Sequence, residues 1–561
     1  MSLVSGGEGN SHGLQRREPG VALKSARDFL TGYSFPVGLL VLLTFCMSTG
    51  AIQEGDLFWH LRTGEWIVEN HRLPVSDLFS YTTPADSPMV TSLLRRYWLG
   101  QIALYGVWQI GGPEGIVLLR ALTYVAIIGI LCLWSWRRSQ GLLPLLGLAL
   151  TALLLREFTN ERPQLFSFLL TPLVLAILDT RRGLVALPLI MLLWSNMHGG
   201  YLLGSAVILL FLGCEILGGR DRRFLLYLGL ALVASMFNPS GWRSLAEFLS
   251  TQTSYRSALY EHLSPLRAAL GMHHWFPAYW VALVTVLALV ALRWRELATA
   301  RVLAALSLAA LSLNGLRFIA FLPMALPLLQ FPENWRPRKT LPAVALLAAV
   351  ALTVPWKECF QFGVDPSFPE RAVGFAAKAG LPGRLFNFYD WGGYLIWRLR
   401  EAPVFVDGRT LDEKPSLEYE RALWSDNSDE VLDRYGIRTI ILPGVSPSVG
   451  RIFPLILRLA QDPRWLPVYA DETALVLCRD TDLPTLPRRV IFEHVASRCD
   501  SLLAAKPAVP APFLVSLGAA RFWLGDRSGA AAALGSALQL DPENQEAKAV
   551  MKWITPTGQR R

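Results

Sequence analysis

The strongest constraint on this chain is a series of apolar blocks, each roughly 15 to 22 residues long, enough to cross a hydrocarbon core of about 30 Å. In lipid the backbone N–H and C=O groups must be satisfied within the segment, so such blocks are helices. About eleven spans are expected, at 36–53, 114–136, 141–156, 163–179, 183–197, 200–217, 223–237, 278–293, 299–313, 316–331 and 340–356. Composition agrees. Of 561 residues, 52% are hydrophobic and 17% charged, and the mean hydropathy is +0.35, too apolar for a soluble chain of this length.

Basic residues sort the loops. Arg16, Arg17, Lys24 and Arg27 precede the first block. Arg137/Arg138, Arg181/Arg182, Arg220/Arg222/Arg223, Arg293/Arg295 and Arg336/Arg338/Lys339 then follow every second one. By the positive-inside rule these loops and a disordered N-terminus, 1–35, are cytoplasmic. The loop 54–113 and everything after Lys357 then lie on the outer side. The net charge of +9 is a topology signal, and no nucleic-acid partner is expected. The six cysteines show no CxxC or Cys/His ligand spacing, so a structural zinc site is not expected.

The fold class expected is a polytopic α-helical membrane protein, with its membrane domain at 36–356. A soluble α/β domain follows at 357–490, where "RLFNFYDWGGYLIWRL", "APVFVDGRT", "IRTIILPG" and "ETALVLCRD" read as short strands between helical stretches. The tail, 491–561, holds one tetratricopeptide-like repeat at 511–544, carried by Leu517, Gly518, Gly525, Ala530, Leu534, Ala537 and Pro542. A single repeat cannot bury its own face, so it packs on the preceding domain or on a protein partner.

The first block ends in Glu54-Gly55-Asp56, with His60 one helical turn beyond Asp56. Carboxylates at this depth are costly unless hydrated, paired or bound to a cation. The plainer reading has Asp56 capping the helix that starts at Leu57. Beyond it, Leu57, Trp59, Leu61, Trp66 and Val68 would lie in the membrane interface beneath the acids. Arg156, Glu157, Asn160, Glu161, Arg162 and Gln164 place positive charge on the outer face, where the guanidinium fork suits phosphate; a solvated turn with internal ion pairs is the alternative. Asn196 and His198 in "WSNMHGG", and Arg317 in "NGLRFIAF", are polar groups at outer helix boundaries. His273-His274 lacks further ligand spacing. Asp390 in "FYDWGGYLIW" and Asp407-Gly408-Arg409 in "VFVDGRT" fit either a binding site or ordinary turn chemistry.

Together these residues resemble the GT-C superfamily of membrane glycosyltransferases, which use polyprenyl-phosphate-linked sugars. Glu54-Gly55-Asp56 matches the family's Glu-x-Asp form of an acidic motif just after the first span. "DLFWHLRTGEWI", "RPQLFSF", "WSNMHGG" and "YDWGGYLIW…VDGR" look like hallmarks of a bacterial subgroup, and the resemblance covers residues 36 to 480 or so. It implies inverting transfer of a sugar, on the outer face of the bacterial cytoplasmic membrane, from a polyprenyl-phosphate donor held in membrane lipid to a glycan, lipid or protein acceptor. Asp56 would act as general base, or share a divalent metal (Mg or Mn) with Glu54, with His60 beside them. Arg95, Arg96, Arg162 and Arg317 would hold the donor phosphate. Gln164, Asn196, His198, Asp390, Asp407 and Arg409 would complete the substrate site. Phe388-Tyr389-Asp390-Trp391-Gly392 stands where oligosaccharyltransferase subunits carry Trp-Trp-Asp-Tyr-Gly, so a peptide acceptor is not implied. A transporter or flippase of lipid-linked glycans would need similar outer arginines, but also internal repeats, which the sequence does not display. A non-catalytic scaffold binding a partner through the repeat would need neither carboxylate.

Overall fold

The computed structural model describes residues 34–84, 93–136, 142–157, 161–219, 221–244, 260–329, 340–409, 412–425, 428–505 and 510–554. The N-terminal segment expected to be disordered, up to residue 33, lies outside the described residues. So do Arg137, Arg138, Asn160, Arg220 and the basic cluster at 336–339.

The described chain is mostly helical, with one four-stranded sheet. Each apolar block forms a helix close to its expected position, as in Ser34–Met47, Leu142–Arg156, Gln164–Thr180, Tyr201–Cys214, Pro277–Arg293 and Thr299–Leu313. Most are too short for the span expected of them. Among the described residues, Trp98–Ser135 and Tyr201–Gly219 are long and apolar enough to cross a membrane, while the other apolar helices have 10–17 residues. A helix of 15 residues rises only about 22 Å. Leu316–Leu329 is a 3₁₀ helix, with Pro323 and Pro327 inside it. The second expected span also starts early. Its helix begins at Trp98 and breaks at Gly112 (φ 57°, ψ −150°), where Pro113 opens the second half.

One apolar core joins these helices. A second joins Asp56–Asn70 and Ile116/Val117 to the C-terminal α/β module. This corrects the expectation for Leu57, Trp59 and Leu61, whereas Trp66 is half-buried and Val68 exposed. Leu57, Trp59 and Leu61 are at most 3% exposed, and the neighbouring Phe58 meets Phe368 and Tyr394 edge-on at 5.3 and 4.9 Å. The α/β module supplies the apolar cover that the interface was expected to give.

In that module β1 (Arg384–Asn387), β2 (Ile437–Leu442), β3 (Leu466–Ala470) and β4 (Leu475–Cys478) take the order β1-β2-β4-β3, with β1 parallel to β2 and the other pairs antiparallel. The stretch "APVFVDGRT" is not a strand; it forms one bridge, Val404 to Ser80. The buried Asn387 side chain holds it instead, accepting the Phe405 N–H at 2.9 Å and donating to the Val406 carbonyl at 2.8 Å. The repeat helices, Ala511–Trp523 and Arg527–Leu540, pack on this module. Ser516 Oγ accepts the Ile452 N–H and donates to the Gly450 carbonyl.

Closest to the acidic motif, the helix Gly392–Arg398 lies with Gly393 directly on the Gly55 carbonyl, leaving no room for a Cβ. A methyl group there has to push apart two packed backbones. Gly393→Ala is expected to lower stability by about 1–3 kcal/mol, the usual cost of overpacking. Thermal unfolding of the purified protein, compared with Gly374→Ala, where the added methyl meets nothing within 4 Å, checks this.

Candidate active site

Asp56 begins the helix Asp56–Asn70 but does not cap it. The cap position is Gly55, and no side chain accepts a bond there. Glu54 folds back so that its Oε1 accepts the Asp56 N–H at 3.1 Å, and its Oε2 lies 2.7 Å from Arg162 Nη2. Arg162 Nη1 is 3.1 Å from Asp56 Oδ2 and 3.4 Å from Glu261 Oε2. One guanidinium thus joins three carboxylates from two separate parts of the chain. Gly408 closes over the group: a Cβ there would collide with Asp56 Oδ1.

Burial pushes the Asp56 carboxyl up to about 7. Arg162 pulls it down, while Glu54, Glu261 and Asp407 add to the rise. Arg162 itself is held above its ordinary value: burial works against its charge, but Asp56, Glu54 and Glu261 outweigh it.

These groups open onto a cavity of about 470 Å³. Its polar lining includes Asp56, His60, Arg96, Arg162, Gln164, His198, Glu261, His262, Arg317 and Arg409. Its apolar lining comes from Leu202, Leu203 and Ala206, Leu311, and Phe318 and Phe321. Ala206 and Ser307, which line it from the helices Tyr201–Cys214 and Thr299–Leu313, are both exposed, so the cavity reaches the surface between those helices. Arg317 rests over the Phe318 ring at 4.9 Å, with Nη1 3.3 Å from His262 Nε2 and 3.8 Å from Glu261 Oε1.

The His198 ring is fixed by Ser167 Oγ at 2.7 Å and by the Gly200 N–H at 3.0 Å, both at Nδ1. Because Gly200 donates, Nδ1 is the acceptor and the neutral ring carries its proton on Nε2. Burial, helped by the charges of Arg317, Arg96 and Arg162, lowers its pKa to about 3, so it stays neutral. His60 is also kept neutral by burial and by Arg162; its ring lies against Trp59 at 3.5 Å and its Nδ1 meets the Gln101 amide at 3.2 Å.

Of the expected site residues, Asp56, His60, Arg96, Arg162, Gln164, His198, Arg317 and Arg409 line the cavity, and Glu54 buttresses it. Arg95 turns away, its Nε donating to the Pro74 carbonyl at 3.0 Å. Asn196 is used structurally, between Trp98 Nε1 at 2.8 Å and the Phe237 carbonyl at 2.8 Å. Asp390 is exposed outside the cavity, with its backbone carbonyl against Gly55. Asp407 and Arg409, expected at the substrate, form an internal ion triad instead. Arg409 clasps Asp407 through two bonds of 2.7 Å and reaches Asp77 at 2.7 Å, its side chain fully enclosed. The triad ties the segment that carries Asp77 to the α/β module. Glu261 and His262 were missed, since they sit in a long loop with no local pattern around them; a carboxylate beside a histidine was the only signal.

The expected sharing of a divalent metal by Glu54 and Asp56 does not fit these side chains as placed. Their facing oxygens are taken up by Arg162, and a cation at an oxygen-ligand distance of about 2.0–2.2 Å would have to displace the guanidinium. Among the described residues no three His, Cys, Asp or Glu side chains converge to hold a metal, and this includes His273 and His274.

No protein-family model matches the chain. None of the curated proteins searched matches it either. Among solved structures, the chain is similar to the Archaeoglobus fulgidus oligosaccharyltransferase in its apo form, with a TM-score of 0.35 and 11% identity, over 83% of this chain and 78% of that one. An overlay this loose says nothing about chemistry.

The Asp56 environment has a consequence for stability. Its folded pKa, about 7, lies above the ordinary 3.8. Across that window the native state binds more protons than the unfolded state, so ionising Asp56 costs stability as pH rises. Asp56→Asn is therefore expected to unfold at a higher temperature than wild type at pH 8, with the difference vanishing near pH 4. Thermal melts across this range check the sign.

Proposed function

We propose that this chain is a membrane glycosyltransferase that moves a sugar from a polyprenyl-phosphate donor to an acceptor hydroxyl. The observation that carries the reading is the make-up of one cavity: a carboxyl poised near neutral pH, arginines along the same wall, and an apolar side that reaches the surface between two helices. The cavity has the size of a small-molecule site. Arg409 being neutralised by Asp407 and Asp77, the cavity's two carboxylates, Asp56 and Glu261, face three arginines, Arg96, Arg162 and Arg317. That balance favours an anion, and the apolar side favours one with a hydrocarbon tail.

In this reading the prenyl chain enters between Tyr201–Cys214 and Thr299–Leu313, and the phosphate rests near Arg317, Arg96 and the Nε2–H of His198. Asp56 takes the proton of the acceptor hydroxyl as its oxygen attacks the anomeric carbon. The bond from that carbon to the phosphate oxygen breaks, and polyprenyl phosphate leaves with the electron pair. The fixed cations stabilise the charge that gathers on the leaving phosphate, and a carboxyl that titrates near the working pH is suited to the base role. Glu54 acts through its neighbours, holding the Asp56 amide and Arg162. The arginine clusters favour a bacterial inner-membrane location with the N-terminus inside and the α/β module outside.

Incubating the purified protein with a panel of polyprenyl-phosphate sugars and acceptors, and measuring released polyprenyl phosphate, tests the reading. Asp56→Asn keeps the shape and removes the base, so turnover should fall roughly 10²-fold or more. Glu54→Gln, which keeps a carbonyl to accept the Asp56 N–H, should cost less. Full transfer activity in Asp56→Asn would leave the proposal without its base.

A further inference from the structure

Arg120 lies inside the second half of the helix Trp98–Trp136, in a block whose other charged residue is Glu114 at its start. It is 1% exposed and its partner Glu161 is fully enclosed. Buried charges are kept only where they are paired and hydrogen-bonded. Arg120 is: Nη1 donates to Glu161 Oε1, Nε donates to the Ser48 carbonyl at 2.9 Å, and Nη2 donates to the Gly50 carbonyl. Ser48 and Gly50 lie just past the helix Ser34–Met47, and Arg120 takes up their carbonyls there.

The three partners share one property. Ser48 and Gly50 lie just before Glu54 and Asp56, and Glu161 immediately precedes Arg162. One guanidinium therefore grips both chain segments whose side chains meet at the Arg162–Glu54–Asp56 contact. Neither Arg120 nor Glu161 lines the cavity, so they cannot touch a substrate there. We infer that the Arg120–Glu161 pair is a positioning strut that sets Arg162 against Glu54 and Asp56 from behind. Its effect on turnover rests on the proposed role of Asp56; its effect on where Arg162 sits does not.

The test is Glu161→Gln, with two readouts. An arginine-selective dicarbonyl reagent is applied to the full-length protein, and modification of each arginine is followed by mass spectrometry. Arg162 engaged by carboxylates reacts slowly, and releasing the strut should raise its labelling several-fold. Arg317, on the same cavity, should label as in wild type. In the transfer assay, turnover should fall roughly 10- to 100-fold with the donor KM little changed, as expected for a misplaced group that does not bind the donor. Should the single variant fail to fold, Arg120→Met/Glu161→Met, which leaves no unpaired charge, carries the same comparison. Unchanged Arg162 labelling in a folded variant overturns the strut, as does a parallel rise at Arg162 and Arg317, which marks general loosening. If wild type transfers no sugar from any donor, the glycosyltransferase reading fails while the labelling still decides the strut.

Discussion

Arg162 stands between Glu54, Asp56 and Glu261, and the shape of the site follows from that contact. Three carboxylates brought this close repel one another, and burial adds to the cost of each charge. A single planar guanidinium answers both problems, because its donors can face several carboxylates at once. Without it, Asp56 would rise further above its ordinary pKa and the segments carrying the acids would have no reason to converge. The turn before Gln164–Thr180 brings Arg162 to the end of the first helix, and the segment Tyr260–His262 brings Glu261 from the far side.

The α/β module belongs to the same construction. Gly393 and the Asp390 carbonyl lie on Gly55, and Gly408 lies on Asp56. Gly393 and Gly408 are thus explained by close approach to the acidic motif, while Gly392 lies against Val406 and Asp407. The Asp407–Arg409–Asp77 triad locks that approach in place, with every charged side chain at most 3% exposed. A module that reads as a separate outer domain in the sequence is the roof of the cavity in the structure.

Much of this was legible in the sequence, for physical reasons that can be named. The apolar blocks are helices because a long apolar run satisfies its buried backbone groups within one segment by coiling. Glu54, Asp56, Arg162 and Arg317 stood out because they lie at the alternate block ends, which the arginine clusters leave out. Helix bounds were largely legible; what was not is the early start at Trp98, ahead of the kink at Gly112, and the 3₁₀ form of Leu316–Leu329. The partners of Arg409 were hidden as well, since Asp77 is more than three hundred residues away and lies in an unpatterned loop. Glu261 was hidden for the same reason. Arg120, by contrast, was in plain view, as a lone arginine within the block 114–136. An ionisable residue there has to have a partner, and its partner is the residue before Arg162.

The central claim is that the cavity beside Arg162 receives a lipid-linked phosphate, with the tail leaving between the helices Tyr201–Cys214 and Thr299–Leu313. Photo-crosslinking tests it most directly, using a polyprenyl phosphate that carries a diazirine on its first isoprene unit, followed by peptide mapping. The account predicts adducts on peptides containing Leu203, Leu311 or Phe321, competed away by unmodified polyprenyl phosphate and lost in Arg317→Ala. Adducts confined to other helices, or labelling in the cavity that polyprenyl phosphate does not compete, would contradict it.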